Sequence, residues 1–109
     1  MRRQLQDRIF RAVADPTRRS IIERLRLGEL TVSDLCKPFR ITQPSLSKHL
    51  AVLKRARLIA PRRSGRHRYY RLNPEPIEQL AAWAAQFRDV RDPSGHVWRF
   101  TQINQRKDT

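Results

Sequence analysis

The sequence predicts a mainly α-helical chain of about five helices with one small β-hairpin, and three observations support this. Apolar residues recur at helical spacing in successive segments. Residues that commonly begin helices stand just before several of these segments. Two strand-like runs follow one another between residues 58 and 72. A length of 109 residues indicates one domain, which we place at residues 1–92, followed by a partly ordered C-terminal tail at 93–109.

Two helices are predicted on either side of Asp15. Before it, apolar residues have the spacing of an amphipathic helix: Leu5, Ile9, Ala12 and Val13. Asp15 suits an N-cap, and Pro16 suits the first position of the second helix because no helical acceptor is available there for an N–H group. The second helix is expected to stop at Gly28, which suits a left-handed C-cap.

A helix-turn-helix pair is predicted at residues 31–39 and 42–56. Thr31, with Asp34 three residues later, has the spacing of a capping box at the start of a short third helix. Thr42 can cap the fourth helix, whose first turn tolerates Pro44. The core stripe of the fourth helix is Leu46, Leu50 and Leu53. The opposite, exposed side is expected to hold Ser45, Lys48, Val52 and Arg55.

The β-hairpin is predicted from residues 58–63 and 66–72, with Ser64 and Gly65 as a two-residue turn. Pro61 cannot donate a backbone hydrogen bond to a neighbouring strand. Its strand is therefore expected at an edge of the sheet.

A long fifth helix is predicted to begin at Asn73 and Pro74 and to end at the turn-forming residues 92–95. Its apolar stripe is Ile77, Leu80, Ala81, Ala84 and Phe87. Such a stripe can belong to an ordinary core. A long helix that closes a small domain more naturally buries it against a second copy of the chain, so we expect a homodimer.

The charge of the chain indicates a polyanionic partner. Lys and Arg number 24 against 10 Asp and Glu, which gives a formal net charge of +14. No acidic residue occurs between positions 35 and 74, where eleven basic residues lie. Nucleic acid or an anionic membrane surface would match this charge. No apolar run approaches the ~20 residues that cross a bilayer, and one cysteine, Cys36, fits a reducing cytoplasm. We therefore expect a cytoplasmic protein without a membrane partner.

Two short helices joined by a tight turn and followed by a basic hairpin form the winged helix-turn-helix plan. In this plan the second helix of the pair enters the DNA major groove and the hairpin, or wing, contacts phosphates or the minor groove. The predicted contacts with double-stranded DNA are Gln43, Ser45, Ser47, Lys48 and His49 of the fourth helix and Arg62, Arg63, Arg66 and Arg68 of the wing. Tyr69 and Tyr70 alternate faces, so one of them should pack inward.

Three segments together resemble the ArsR/SmtB family of bacterial transcriptional regulators. They are residues 15–19 (DPTRR), 42–53 (TQPSLSKHLAVL) and 65–72 (GRHRYYRL), and the resemblance extends over roughly residues 5–91. It implies a dimeric repressor that binds an inverted-repeat operator and dimerises through its first and fifth helices. The implied base-reading residues are Gln43, Ser45, Ser47 and His49. The implied dimer contacts are Leu5, Ile9, Ile77, Leu80, Ala84 and Phe87.

The chain departs from that family at its metal sites. Many members sense metals through a Cys-x-Cys pair, and Thr31 and Ser33 stand at those positions here. Neither is a good ligand for soft or borderline cations. The fifth helix also lacks the histidine of a second family site. We therefore expect no metal and no cofactor, and no residue pattern specifies an effector. Cys36, on an apolar helix face, is interpreted as a core residue.

A second departure is Arg57, which replaces the family's usual glycine after the fourth helix. If this position is left-handed, a non-glycine residue there costs on the order of 1 kcal/mol. The residues after about position 91 also leave the family pattern.

No arrangement of residues indicates an enzyme. The sequence has no phosphate-cradling loop and no nucleophile elbow, and Ser45, Ser47 and His49 lie on one basic helix without a pocket. The prediction is a sequence-specific transcriptional regulator, most simply a repressor, although activation would use the same surface. The main alternative is a sequence-tolerant architectural or RNA-binding protein, and a further one is a protein-interaction module that uses the fifth helix.

Overall fold

The computed structural model describes residues 3–99, in two compact units that lie within Met1–Glu78 and Gln79–Thr109. The helices of this part of the chain are α1 (Arg3–Val13), α2 (Pro16–Leu25), α3 (Val32–Cys36), α4 (Gln43–Arg55) and α5 (Pro74–Ala85). The strands are β1 (Leu30–Thr31), β2 (Ile59–Ser64), β3 (His67–Leu72), β4 (Asp89–Arg91) and β5 (Val97–Arg99). The order of the elements up to α5 confirms the predicted winged helix-turn-helix fold. Residues 100–109 of the predicted tail lie outside the described residues.

Side-chain caps begin three helices where the sequence predicts them. Asp15 and Thr31 accept hydrogen bonds from the backbone N–H groups three residues further on, at 3.0 and 3.1 Å. Thr42 does the same for α4 at 3.2 Å. Pro16 and Pro44 occupy the first turns of α2 and α4. Each cap satisfies one N–H group that has no acceptor within its helix, so these helix starts follow from local chemistry.

The ends of α2 and α3, like the end of α5 described below, differ from the prediction. Helix α2 ends at Leu25 rather than beside Gly28, whose N–H donates to the Leu25 carbonyl at 3.2 Å in the turn that follows. Gly28 has a φ of +143°, which favours glycine. Helix α3 ends at Cys36, although the apolar spacing continues to Phe39.

The end of α4 is a Schellman motif with Arg57 in the left-handed position. The Leu58 N–H donates to the Leu53 carbonyl and the Arg57 N–H to the Lys54 carbonyl, both at 3.0 Å. Arg57 has a φ of +61°, the one positive φ of a non-glycine residue in the described range. The Asn73 side-chain amide donates to the Arg57 carbonyl at 2.9 Å. Arg57 therefore meets the condition under which a non-glycine residue is expected to cost on the order of 1 kcal/mol.

The predicted apolar stripes build the core of the first unit. Its buried residues are Ile9, Ala12, Ile21, Leu25, Leu35, Leu46, Leu50, Leu53, Ala56, Leu58, Ile59 and Tyr70, together with Pro76 of α5. All three residues of the α4 stripe are among them, so this helix is held with its polar side outward. No helix in the described part of the chain is long and apolar enough to cross a membrane.

The wing belongs to a three-stranded antiparallel sheet with the order β1-β3-β2. The short strand β1 was not predicted, since Thr31 was interpreted only as a cap. Pro61 lies on β2, an edge strand, as predicted. The predicted turn was one residue too early: Ser64 pairs with His67, which leaves Gly65 and Arg66 as the turn. Gly65, with a φ of +60°, supplies the left-handed conformation that such a turn requires.

The prediction that the fifth helix extends to residues 92–95 is wrong. Helix α5 ends at Ala85, and β4 and β5 then form a second antiparallel hairpin, with Val90 paired to Trp98. Asp92 closes its turn by accepting from the backbone N–H groups of Ser94 and His96 at 3.0 and 2.9 Å. Asp at such a position competes with helix by bonding to the backbone that follows it.

Candidate nucleic-acid interface

The first turns of α4 present a polar surface. Gln43, Ser47 and Lys48 are exposed, Ser45 is half-buried, and the buried stripe of α4 lies on the other side. An α-helix with its side chains is about as wide as the major groove of B-DNA. The amide, hydroxyl and ammonium groups of this surface can bond to base edges or phosphates.

His49 differs from these four residues in its surroundings. Its side chain is 21% exposed and lies against the start of α2. Its Nδ1 atom is 3.2 Å from Nη1 of Arg18 and 3.9 Å from Oδ2 of Asp15. The structure thus joins the DPTRR segment to α4, a relationship that residues 31 positions apart do not reveal by their spacing.

A groove of about 210 Å³ lies between α4 and β3. It is lined by Val32, Ser47, Leu50, Ala51, Lys54, Arg68 and Tyr70. Ser47, Lys54 and Arg68 supply a hydroxyl, an ammonium and a guanidinium group, and no carboxylate lines the groove. This chemistry is complementary to a phosphodiester. Lys54 was missing from the predicted contacts, although it lies two helical turns after Ser47 on the same side of α4.

The two faces of the wing have different chemistry. Arg63 and Arg68 stand opposite each other in the β2–β3 ladder and share a face with Tyr70. Tyr70 is buried, so it is the one of the two alternating tyrosines that packs inward. Like charges in directly opposite positions destabilise a sheet. An anion between them would relieve this repulsion. Arg66 is exposed in the turn.

Arg62 lies on the other face of the wing and is already paired. Its Nη2 donates to Oε2 of Glu29 at 2.6 Å, and its Nε lies 3.1 Å from both carboxylate oxygens. The guanidinium also lies 5.0 Å from the centre of the Tyr69 ring. The Arg62 hydrogen bonds and charge lower the pKa of Glu29 below its ordinary value of 4.5. The predicted contacts Arg63, Arg66 and Arg68 therefore differ from Arg62, whose charge is neutralised within the chain.

A second basic groove was not predicted. It has a volume of about 390 Å³ and is lined by Arg8, Arg11, Val52 and Arg55, again without a carboxylate. Arg8 and Arg11 lie outside the acid-free segment 35–74, so the charge pattern along the sequence does not connect them with Arg55. The basic surface of the first unit therefore extends beyond α4 and the wing to α1.

The predicted dimer contacts vary in exposure. Leu5, Ile77 and Leu80 are half-buried, and Ala84 and Phe87 are exposed, Phe87 at 55%. Ile9 is 1% exposed and packs in the core of the protomer, so its side chain offers no surface to a second chain. The prediction for Ile9 is therefore corrected: its apolar surface is already covered within the protomer.

The positions that correspond to the family's metal-binding cysteines do not fit a metal. The Thr31 hydroxyl oxygen accepts the N-cap hydrogen bond of α3, and Ser33 is an exposed hydroxyl. Cys36 is half-buried, with its Sγ 3.9 Å from the Ile41 carbonyl. Within residues 3–99, no three His, Cys, Asp or Glu side chains lie together as a metal site would require. Hydroxyl groups without a thiolate or imidazole are poor ligands for the soft ions that such sites bind.

Comparisons with known proteins agree with this geometry. The family model for the bacterial regulatory proteins of the arsR family matches residues 15–60. The transcriptional repressor SdpR of Bacillus subtilis is 39% identical over 79 residues, which cover 72% of this chain and 88% of SdpR. The arsenical resistance operon repressor of Escherichia coli is 39% identical over 95 residues, 86% of this chain and 73% of that protein.

Solved structures give the same result. The crystal structure of an ArsR family transcriptional regulator superposes with a TM-score of 0.74 at 38% identity, over 79% of this chain and 89% of that one. A possible transcriptional regulator for arsenical resistance gives a TM-score of 0.70 at 35% identity, over 93% and 95% of the two chains. The family match and these relatives define a DNA-binding transcriptional regulator, which is a non-enzymatic class of protein. The chain belongs to the ArsR family.

Proposed function

We propose that this regulator is a homodimeric repressor that binds an inverted-repeat operator in the cytoplasm, with α4 in the major groove and the wing on the DNA backbone. The observation that carries the proposal is the continuous surface formed by the exposed start of α4 and the groove between α4 and β3, which no carboxylate lines. Base-reading groups and phosphate-binding groups lie side by side on it. Two relatives that are named repressors support repression.

Within this proposal the residues divide into two roles. Gln43, Ser45 and Ser47 read base edges, because amide and hydroxyl groups can discriminate between bases in the major groove. Lys48, Lys54 and three wing arginines hold the backbone, because their charge attracts phosphate whatever the sequence. These arginines, Arg63, Arg66 and Arg68, have no ion pair within residues 3–99.

Dimerisation is supported by the apolar surface at the end of α5 and just after it. Trp83 and Phe87 are exposed, and their ring centroids are 4.9 Å apart. A second protomer related by a two-fold axis would bury this surface and present a second α4 to the next turn of the DNA. Six to ten phosphate contacts in such a dimer correspond to a log–log salt slope of roughly −5 to −9.

Selection from a random double-stranded DNA library at about physiological salt tests the proposal. Enrichment of an inverted repeat, with half-sites about one helical turn apart, would support a sequence-specific dimer. Retention of DNA without an enriched motif would instead support a sequence-tolerant binder. The carboxylate-free groove of Arg8, Arg11 and Arg55 favours this second function, since it adds charge without base-reading groups.

A further inference from the structure

Arg18 of α2 connects three helices through one guanidinium group. Its Nε donates to the Ala12 carbonyl and its Nη2 to the Arg11 carbonyl, both at 2.8 Å, near the end of α1. The remaining terminal nitrogen, Nη1, lies 3.2 Å from Nδ1 of His49 on α4. Arg18 therefore reaches the DNA-facing helix from a segment that the DNA-binding role does not otherwise involve.

The chemistry of this contact fixes the role of each nitrogen. A guanidinium only donates hydrogen bonds, so Nδ1 of His49 must accept and cannot carry a proton. In the neutral ring the proton is then on Nε2. The competing arrangement, a protonated Nδ1 donating to Asp15, has a separation of 3.9 Å, too long for a hydrogen bond.

We propose that Arg18 is a positioning residue that holds His49 as the Nε2–H tautomer, so that His49 offers DNA a hydrogen-bond donor. Within the described chain the structure gives Nε2 no hydrogen-bond partner, and the side chain keeps 21% of its surface exposed. The ligand is a hydrogen-bond acceptor on DNA, either a base-edge atom such as guanine O6 or N7 or a phosphate oxygen. This inference rests on the proposed binding of DNA by α4.

The protonation state of His49 can be measured on the wild-type protein. Long-range ¹⁵N–¹H correlation spectra of the ¹⁵N-labelled wild-type protein distinguish a bare imidazole nitrogen from one that carries a proton. The His49→Ala variant identifies the His49 signals among the three histidines. We expect a bare Nδ1 and a protonated Nε2 at neutral pH. A protonated Nδ1, in either the other tautomer or an imidazolium, would overturn the proposal.

A double-mutant cycle tests whether Arg18 acts through His49. Arg18→Met should weaken binding to the selected operator by roughly two- to ten-fold, the effect of about one hydrogen bond. In the His49→Ala background the same change should have almost no effect. Arg19→Met is the matched control, because Arg19 Nη1 also donates to carbonyls near the end of α1, at 2.9 and 3.1 Å, but has no contact with His49. Equal losses from Arg18→Met in both backgrounds would show a merely structural role and reject the inference.

The outcomes separate this inference from the proposed function. If an operator is enriched but the losses from Arg18→Met and His49→Ala are additive, the proposed function is supported and the role of Arg18 is rejected. Failure of the wild-type protein to enrich any operator removes the proposed function, while the spectra still report the tautomer. If Arg18→Met loses affinity only for the operator, the acceptor is a base atom. If it loses affinity for random DNA as well, the acceptor is a phosphate oxygen.

Discussion

Glu29, just before β1, holds Arg62 of the wing through a two-pronged ion pair whose shortest contact is 2.6 Å from Nη2 to Oε2. The two residues are 33 positions apart and meet because β1 pairs with β3, next to β2. Arg62 is thus neutralised before any DNA arrives, whereas Arg63, its neighbour on the same strand, faces another arginine. The sequence gives no reason to distinguish these wing arginines, but in the fold of residues 3–99 Arg62 is ion-paired and Arg63 is not.

Removing the Glu29–Arg62 pair as a whole should leave DNA binding almost unchanged. The double variant Glu29→Gln/Arg62→Gln keeps the net charge and deletes no phosphate contact, so its operator affinity and salt slope should match those of the wild type. Arg63→Gln should flatten the salt slope by about one. Fluorescence anisotropy across a salt series measures both. Equal effects of the two variants would contradict the assigned difference between Arg62 and Arg63.

Glu29→Gln alone should strengthen DNA binding by a few-fold. The change removes a negative charge and releases Arg62 toward phosphate, which should make the salt slope steeper by about one. Asp7→Asn on α1, which also removes one negative charge, is the control and should have a smaller effect. Because Arg62 lowers the pKa of Glu29, the pair persists as the pH falls through 4.5 and is lost only at lower pH. Operator affinity should therefore show no change from this pair between pH 6 and 8.

Gln43→Ala and Arg66→Ala should affect binding in different ways. Gln43→Ala should cost about 1–3 kcal/mol at the selected operator and little on random DNA, because it removes a base contact. Arg66→Ala should weaken binding to both and flatten the salt slope by about one. Arg26→Ala, an exposed arginine at the end of α2, controls for net charge. Proportional losses on both DNAs for Gln43→Ala would refute its base-reading role.

Arg57→Gly should stabilise the fold by about 1 kcal/mol. Its φ of +61° strains a residue with a Cβ atom, and glycine removes that strain while gaining some freedom in the unfolded chain. Arg26→Gly is the opposite control: Arg26 has a φ of −57°, so glycine there should destabilise by roughly 0.5–1 kcal/mol. Urea unfolding of the variants measures both changes. A loss of stability in Arg57→Gly would show that the arginine side chain contributes more than the strain.

Phe87→Asp should disrupt the proposed dimer and leave the protomer folded. The side chain is 55% exposed, so the substitution removes little from the core, but a carboxylate in an apolar interface loses its water. The dimer dissociation constant should rise by at least roughly tenfold in analytical ultracentrifugation. Leu27→Asp, at a site that is 85% exposed and outside the stripe, should leave it unchanged. Sedimentation of the wild type as a monomer would remove the proposed dimer.

The accuracy of the sequence-based predictions follows the range of the interactions involved. The starts of α2 and α4 were predicted correctly because Asp15 and Thr42 bond to N–H groups only three residues away. The turn of the wing was misplaced by one residue, since register depends on the partner strand. The end of α5 was misplaced because a continuing helical stripe and a new hairpin both accommodate the apolar residues near Val90.

In the candidate site, too, the features set by near neighbours in the sequence were predicted better than those set by distant residues. Lys48 and Arg55 were assigned to the exposed side of α4 by helical periodicity, and the structure leaves them exposed, whereas Ser45 and Val52, assigned to the same side, are half-buried. Lys54 belongs to the candidate site because the fold brings β3 beside α4, which the sequence did not reveal. Ile9 was predicted to contact a second chain, but its side chain is covered by the core of its own protomer.

The sequence by itself determined where the helices begin, which stripe of α4 is buried, and that the chain carries a large positive charge free of acids from position 35 to 74. Those properties depend on residue type and on neighbours within one or two helical turns. The tertiary structure decided which charges are available, by placing Glu29 on Arg62 and Arg18 on His49. Net charge adds up along the chain, but ion pairs and hydrogen bonds require distances of a few ångströms, and only folding sets those distances for residues more than thirty positions apart.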